Sequence, residues 1–210
     1  MLQAQVFTLY PDIFPGPLGK GLYGKAMSKK LWSLKVINIR DAATDRHKTV
    51  DDTPYGGGTG MLLKPDVLAN SIDRNINKGD RILYLSPKGR VFNQKLAQDL
   101  SFEKSFSLIC GHFEGVDERV LSTRNIEEIS VGDYILSGGE TAALVVLDSV
   151  LRLLPGVLGN NNSSSEETFE NGLLEYPQYT KPQIWEEKSV PDVLLSGDHA
   201  KIKDWRLSQS

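Results

Sequence analysis

The chain has 210 residues, of which 40% are hydrophobic, and its 24 Lys and Arg stand against 27 Asp and Glu, for a formal net charge of -3. This length supports one large or two small domains with a buried core, and the near-neutral charge excludes a global basic field for nucleic acid, so that any polyanion site must be a local patch. One cysteine excludes an internal disulfide framework, and no signal-peptide or membrane-span pattern is present, so we expect a soluble cytoplasmic protein with no membrane partner.

Short apolar segments alternate with helical segments along most of the chain. Strands are predicted at residues 5–10, 36–39, 81–85, 107–110 and 129–136. Helices are predicted at residues 65–77, 92–100, 116–123 and 140–154. This alternation is typical of an α/β fold with a mainly parallel sheet.

Residues 40–62 form a long, polar and glycine-rich stretch without periodicity. Loops of this length in compact domains are usually functional or mobile. The segment Gly-Gly-Gly-Thr-Gly at 56–60 is similar to part of a phosphate loop, but it lacks the Gly-Lys-Ser/Thr ending and does not directly follow a strand. We therefore assign it little weight as a nucleotide site.

Three predicted strands end in loops that carry glycine or polar residues, at 85–87, 111–114 and 136–139. Parallel sheets bind ligands at the carboxyl ends of their strands, so these loops are expected to converge on one pocket. Glycines that simply end strands are the alternative for any one of them. Three such loops in succession favour a common ligand pocket over this alternative.

The predicted helix at 140–154 is apolar at nearly every position after Ala142, so it must be buried on most sides. Its two interruptions, Asp148 and Arg152, are four residues apart and share one face. They form an intrahelical ion pair or serve a second purpose. Because charge in so apolar a helix is costly, Arg152 is a candidate functional residue.

Two further patterns do not predict a catalytic or metal site. Cys110 and His112 suggest a nucleophile and a base, but no third orienting group is evident, and a buried strand cysteine is the better interpretation. The three histidines, His47, His112 and His199, lack the spacing of metal ligands, so no metal site is predicted.

The composition changes after residue 159. The segment Asn-Asn-Asn-Ser-Ser-Ser at 160–165 is typical of a flexible tether, and aromatic residues return beyond it. We predict a first domain at 1–159, a linker at 160–168 and a small, mostly helical C-terminal domain at 169–210. That domain ends in an amphipathic helix from about Asp198.

Seven segments together resemble one family: LYPDIF, VDDTPYGGGTGML, LSPKG, CGHFEGVDERV, SVGDYILSGGE, LPGVLG and LLEYPQYTKP. In order and spacing they are similar to the bacterial tRNA (guanine-N1)-methyltransferases, over almost the entire chain. The resemblance implies a parallel sheet tied into a deep trefoil knot, which ordinary folding rules would not predict. It also implies a homodimer with its active site at the subunit interface, and S-adenosylmethionine as methyl donor. The methylated atom would be N1 of the tRNA guanosine at position 37, immediately 3′ of the anticodon.

The same resemblance assigns residues to the methyl donor. They are Tyr84, Leu85, Ser86, Pro87, Gly111, Glu114, Val131, Gly132, Asp133, Tyr134, Ile135, Leu136, Gly138, Gly139 and Ala142. Negative charge on Glu114 suits a sulfonium cation, although this carboxylate is also a candidate cap for the helix that follows.

Methylation at N1 of guanine requires a base for the N1 proton and a donor for the charge that develops on O6. By resemblance, Arg152 is that donor. Glu167 occupies the position of an aspartate proposed as the base, and its longer side chain leaves neighbouring Glu166 as an alternative. Because the tether is predicted to be flexible, we expect Glu167 to act on the partner subunit's site when RNA binds. The sequence does not indicate whether magnesium takes part.

Local basic groups are the expected tRNA contacts: Arg40, Arg46, His47 and Lys48 in the first domain, and Lys181, Lys201, Lys203 and Arg206 in the second. Three residues depart from the family pattern, namely Thr53, Lys88 and Phe113. The chain also ends at Ser210, before the basic tail that the family pattern leads us to expect. A knotted methyltransferase for ribosomal RNA and a non-catalytic RNA-binding protein are the two alternatives.

Overall fold

The structure is a computed structural model that describes residues 1–77, 79–158 and 176–210. The chain separates into two compact units, Met1–Gly159 and Asn160–Ser210. The predicted linker at 160–168 lies outside the described residues.

The first unit alternates strands and helices in chain order. Its strands are β1 (Leu2–Thr8), β2 (Trp32–Asn38), β3 (Asp51–Asp52), β4 (Leu62–Leu63), β5 (Arg81–Val91), β6 (Ser105–Cys110) and β7 (Glu127–Ser130). Its helices are α1 (Gly21–Ser28), α2 (Pro65–Asn75), α3 (Gln94–Ser101), α4 (Glu118–Thr123) and α5 (Glu140–Leu151). Three short 3-10 turns follow β1 and β2, at Pro11–Ile13, Gly16–Gly19 and Ile39–Ala42.

Five strands form one sheet in the order β2-β1-β6-β5-β7, and every neighbouring pair is parallel. The centre of the register aligns Val6 of β1 with Val36 of β2 and with Leu108 of β6. The predicted α/β fold with a mainly parallel sheet is therefore confirmed. Strands β3 and β4 form a separate antiparallel pair within the long polar stretch.

Helices cover both faces of the sheet, because alternate strand residues point to opposite sides. Leu83 and Leu108 belong to the core cluster beneath α1, α3 and α5. Ile82 and Ile109 belong to the second cluster, beneath α2 and α4. Both faces of the strands are consequently apolar, which is typical of a parallel sheet buried between helices.

Helix α5 is buried along most of its circumference, as predicted for this apolar segment. Ala143, Val146 and Leu147 are fully buried against the sheet and α3. One stripe reaches the surface, and its Val145 is 44% exposed. The helix ends at Leu151, three residues before the predicted end, and a turn follows it.

Several element boundaries differ from the prediction. The strand predicted at 129–136 pairs only over β7, and residues 131–139 form a loop instead. Strand β5 continues beyond Leu85 to Val91, with a register shift against β7 that lets the strand bend. Helix α4 begins at Glu118, because the Asp117 side chain caps it by accepting the Arg119 N–H. Helix α1 was not predicted.

The second unit contains a two-stranded ribbon, β8 (Ile184–Trp185) and β9 (Lys188–Ser189), and two helices, α6 (Asp192–Leu195) and α7 (His199–Gln209). Asp198 caps α7, in agreement with the predicted start of this helix. Within the unit, the Tyr179 ring lies 6.4 Å from that of Trp205, and the Arg206 guanidinium lies 4.7 Å above the Tyr176 ring. No described helix in either unit is long and apolar enough to cross a membrane.

Candidate active site

A cavity of about 230 Å³ opens toward the carboxyl edge of the sheet, beside the irregular middle of β5 and the ends of β6 and β7. Its walls come from three segments, at residues 84–87, 111–115 and 129–139, with Ala142 of α5 as a further wall residue. The predicted convergence of the three segments on one pocket is therefore confirmed, but only residues 111–114 directly follow a strand, since 85–87 lie within β5 and 136–139 belong to the longer loop after β7.

Fourteen of the fifteen residues assigned by resemblance to the methyl donor line this cavity. The exception is Asp133, which is exposed and is not a wall residue. Six further residues line the cavity: His112, Phe113 and Ser137 belong to loops that were predicted to converge there, whereas Gly115, Ile129 and Ser130 were not predicted.

The loops pack so closely that glycine is required at their crossing. The Gly139 N–H donates to the Gly111 carbonyl at 3.0 Å, and His112 forms a bridge with Gly138. A Cβ on Gly139 would lie 2.6 Å from the Cys110 Cα, closer than real side chains approach backbone. The segment before α5 is thus held directly against the end of β6.

The loop at 131–139 is fixed internally by its own polar groups. The Ser130 hydroxyl accepts the Gly132 N–H at 3.2 Å, and the Tyr134 hydroxyl donates to the Val131 carbonyl at 3.2 Å. Ile135 is nevertheless 82% exposed in this unit. A flat apolar surface at the mouth of the cavity results.

A buried carboxylate joins three distant segments beneath the cavity. Glu140 is 4% exposed; its Oε1 accepts the Thr8 hydroxyl at 2.5 Å, and its Oε2 lies 2.7 Å from His112 Nε2. The His112 ring also packs on Tyr10, with ring centroids 4.8 Å apart. Sequence reasoning missed this cluster because its members are 28 and 132 residues apart, and no spacing pattern connects them.

Burial raises the pKa values of two side chains beside the cavity, Cys110 and Tyr84. It raises the pKa of the Cys110 thiol well above its ordinary value, and the Glu140 carboxylate raises it further. A protonated, fully buried thiol is a poor nucleophile, which confirms the structural interpretation of Cys110. Burial, with a smaller contribution from Glu128, likewise raises the pKa of Tyr84 to about 12, so its hydroxyl is neutral.

Glu114 lies on the exposed rim of the cavity, where the long polar stretch docks. The Glu114 N–H donates to the Met61 carbonyl at 2.9 Å, and its carboxylate packs on Gly60. The Asp117 side chain caps α4, so Glu114 is not the helix cap. The glycine-rich stretch thus supports this wall of the cavity from outside.

Of the two predicted catalytic residues, the structure describes Arg152 and not Glu167. Arg152 follows the last residue of α5, whereas Glu140 at the start of that helix adjoins the cavity. Twelve helical residues separate these ends by roughly 18 Å, so Arg152 is not a wall residue of the cavity in its own chain. Glu167, with its alternative Glu166, lies outside the described residues.

Among residues 1–77, 79–158 and 176–210, no three His, Cys, Asp or Glu side chains are grouped to hold a metal ion. The wall of the cavity instead offers glycine main chain, apolar side chains and the Glu114 carboxylate. This surface suits a flat, uncharged ring with a cationic group at the rim.

Comparison with known proteins identifies relatives along the whole chain. Residues 2–210 match the family described as tRNA (Guanine-1)-methyltransferase TrmD. A relative from Pelagibacter ubique (strain HTCC1062), named tRNA (guanine-N(1)-)-methyltransferase, is 78% identical over 210 residues, which cover 100% of this chain and 92% of the relative. A relative of the same name from Bartonella quintana (strain Toulouse) is 56% identical over 208 residues, 99% of this chain and 89% of the relative. The chain therefore belongs to the tRNA (guanine-1)-methyltransferase family.

Proposed function

We propose that this protein transfers the methyl group of S-adenosylmethionine to N1 of a guanosine in tRNA, at position 37 immediately 3′ of the anticodon. Family membership over residues 2–210 supports the reaction and the tRNA substrate. The observation that carries the proposal is the cavity at the strand ends, lined by fourteen of the residues that the family resemblance assigns to the donor.

The residues of the cavity fit such a donor. The close crossing of Gly111 and Gly139 leaves main-chain groups in the wall, which can pair with the edge of an adenine ring. Leu85, Ile129 and Leu136 supply apolar surface for its faces. Glu114 supplies negative charge at the rim for a sulfonium. When bound, the donor supplies an electrophilic methyl group and leaves as a neutral thioether.

Arg152 and Glu167 perform the remaining chemistry in this proposal. Glu167 accepts the proton from guanine N1, which makes that nitrogen nucleophilic, and the charge on O6 is stabilised by the Arg152 guanidinium. Glu166 is the alternative base. The methyl carbon then gains its bond to N1 as its bond to sulfur breaks, with the N1 proton left on the carboxylate.

The position of Arg152 supports a homodimer with its site at the subunit interface. In one chain this residue is roughly 18 Å of helix away from the end of α5 that adjoins the cavity. An antiparallel arrangement of two copies of α5 brings the far end of one helix to the near end of the other. The exposed Val145 stripe on α5 and the exposed Ile135 offer apolar surface for such a contact.

Two finer features complete the proposal. We assign the trefoil knot by family resemblance, and the close crossing of residues 138–139 at the end of β6 is compatible with it. Exposed Arg40, Arg46, His47 and Lys48 are proposed tRNA contacts in the first unit. In the second unit, Lys181 and Lys203 are exposed, whereas the Arg206 side chain stacks on Tyr176.

Donor binding and site-specific transfer test the proposal separately. Calorimetry with S-adenosylmethionine alone should show binding, and a tRNA transcript should gain one methyl group at guanosine 37, located by mass spectrometry. The same transcript with that guanosine replaced by adenosine should gain none. Donor binding with methylation of ribosomal RNA instead would support the related knotted enzymes. Binding of tRNA without the donor would support a non-catalytic RNA-binding protein.

A further inference from the structure

One stretch of the first unit carries unbalanced positive charge. Between residues 13 and 40 the chain has six Lys and Arg and no Asp or Glu, although acidic residues outnumber basic ones 27 to 24 in the whole chain. Four of the six are lysines at the N-cap of α1, on α1 or in the turn after it, and all four are exposed. We call them the α1 lysine face: Lys20, Lys25, Lys29 and Lys30.

The packing of α1 directs this charge to solvent. Ala26 is buried, and Tyr23 and Met27 pack on the core cluster beneath the helix. Lys25 and Lys29 lie one turn apart on the opposite side. Among the described residues, no carboxylate lies within 4.0 Å of any lysine of the α1 lysine face. The face is therefore a local positive surface without an internal partner.

The α1 lysine face borders the turn that holds Arg152. The Tyr23 hydroxyl of α1 donates to the Asp148 carbonyl at 3.3 Å, and the same carbonyl accepts the Arg152 N–H at 3.2 Å. Leu31, beyond α1, contacts the position of Gly156, beyond α5. The lysines and Arg152 thus share one side of the sheet.

Lys30 occupies a position that ordinarily favours glycine. It is the second residue after α1, with φ of +57°, and its N–H donates to the Met27 carbonyl at 2.9 Å. A residue with a Cβ in this left-handed conformation costs roughly 1 kcal/mol relative to glycine. The chain therefore has a lysine at a helix end where the backbone conformation favours glycine.

We propose that the α1 lysine face binds phosphates of the tRNA substrate beside the target guanosine. The inference rests on the proposed function for the identity of its RNA partner. Lysine ammonium groups neutralise backbone phosphates without reading sequence, and they position the strand. Because Arg152 lies on the adjoining turn, phosphates held here belong to nucleotides near the guanine that Arg152 contacts.

An anionic membrane surface is less compatible with the same charges. Helices that lie on membranes insert an apolar face between the lipids. The apolar side of α1, with Ala26 and Met27, is already packed into the core. RNA is consequently the polyanion that this surface fits.

The salt dependence of tRNA binding provides the test. Fluorescence anisotropy with labelled tRNA over a series of salt concentrations gives the slope of log affinity against log salt for the K25Q/K29Q variant and the wild type. We expect tRNA affinity to fall about tenfold at low salt and the slope to decrease by about two. The matched control R74Q/R124Q removes two charges from the other face of the sheet, on α2 and at the end of α4, and should leave both the affinity and the slope unchanged.

The Lys30→Gly variant distinguishes a role of Lys30 in tRNA binding from a role in folding. The variant should melt at the same or a higher temperature, since glycine relieves the left-handed conformation, yet its salt slope should decrease by about one. Donor affinity, measured by calorimetry, should be unchanged in all these variants. A lower melting temperature together with an unchanged slope would assign Lys30 to folding alone.

Three outcomes are decisive. Equal slopes for K25Q/K29Q and R74Q/R124Q would overturn the inference. So would lysine-dependent binding to phosphatidylserine vesicles with lysine-independent binding to tRNA. Lysine-dependent tRNA binding by a protein that transfers no methyl group would support the α1 lysine face and overturn the proposed function instead.

Discussion

The two edges of the central sheet present two different concavities. The carboxyl edge has the cavity of about 230 Å³, lined by glycine-rich loops and apolar side chains. The amino edge has a groove of about 720 Å³, lined by charged side chains of β5, α2 and the turn before β7. Arg81 and Arg90 both bind Glu127 there, each at 2.7 Å, and Arg124 binds Asp73 at 2.7 Å.

The comparison shows that size alone does not mark a ligand site. In the larger groove, the charged groups pair with one another: the hydrogen bond from Arg81 lowers the pKa of Glu127, and the Glu127 carboxylate raises that of Arg81. In the smaller cavity, main-chain atoms and flat apolar surface are presented instead. Changes that reach the cavity should therefore affect donor binding, and changes within the charged groove should affect stability alone.

The largest effect is expected for Arg152→Ala. Loss of the guanidinium removes stabilisation of charge on guanine O6, so kcat for methyl transfer should fall about 10²- to 10³-fold while donor affinity stays within about twofold. Steady-state transfer to tRNA and calorimetry measure the two quantities. The matched control Arg124→Ala, in the amino-edge groove, should transfer normally. Loss of donor binding in Arg152→Ala would make the arginine structural.

Gly139→Ala should disrupt the crossing of the loops. The new Cβ would lie 2.6 Å from the Cys110 Cα and 3.0 Å from the Gly111 N, and neither backbone atom can move away cheaply. We expect the free energy of unfolding to fall by about 3 kcal/mol and donor affinity to fall at least tenfold. Urea unfolding and calorimetry measure these changes. Ser137→Ala, in the same loop, is the control, and equal effects of both substitutions would contradict this account.

Glu140→Ala should have an intermediate effect, because it leaves the Thr8 hydroxyl buried without its acceptor and frees the His112 ring. The free energy of unfolding should fall by about 2 kcal/mol. Donor affinity should fall severalfold, since His112 lines the cavity. Glu140→Gln keeps the shape and one acceptor oxygen, and it should recover part of both losses in thermal unfolding and calorimetry. Identical behaviour of the two variants would mean that volume, not hydrogen bonding, is the contribution of Glu140.

Glu127→Gln, at the amino edge, should have the smallest effect. Because the Arg81 hydrogen bond lowers the folded pKa of Glu127, its contribution is fully present above the unfolded pKa of about 4.5 and is lost as the pH falls through the lowered value. The variant should be less stable than the wild type by about 1 kcal/mol or less at neutral pH, and this difference should shrink below about pH 4.5. Urea unfolding across pH measures it. Donor binding should not change, and a weakened donor affinity would contradict the division between the two edges.

The sequence by itself determined the layered architecture and the location of the cavity. Short apolar segments at β1, β5 and β6, alternating with helical segments, predict the strands of a parallel sheet, and polar or glycine residues after strands predict a ligand edge. These are local patterns, so they can be read without knowing which segments meet. The apolar character of residues 142–154 likewise predicted a buried helix.

Tertiary structure alone decided the details on which the chemistry depends. Residues 131–136 have the composition of a strand, but their segment crosses the end of β6, and the Gly139 N–H pairs with Gly111 outside the sheet ladder. The contacts of Glu140 with Thr8 and His112 join residues 132 and 28 positions apart. The roughly 18 Å between the two ends of α5 separates Arg152 from the cavity of its own chain. Each of these features depends on which distant segments lie side by side, and local sequence propensity does not predict such long-range contacts.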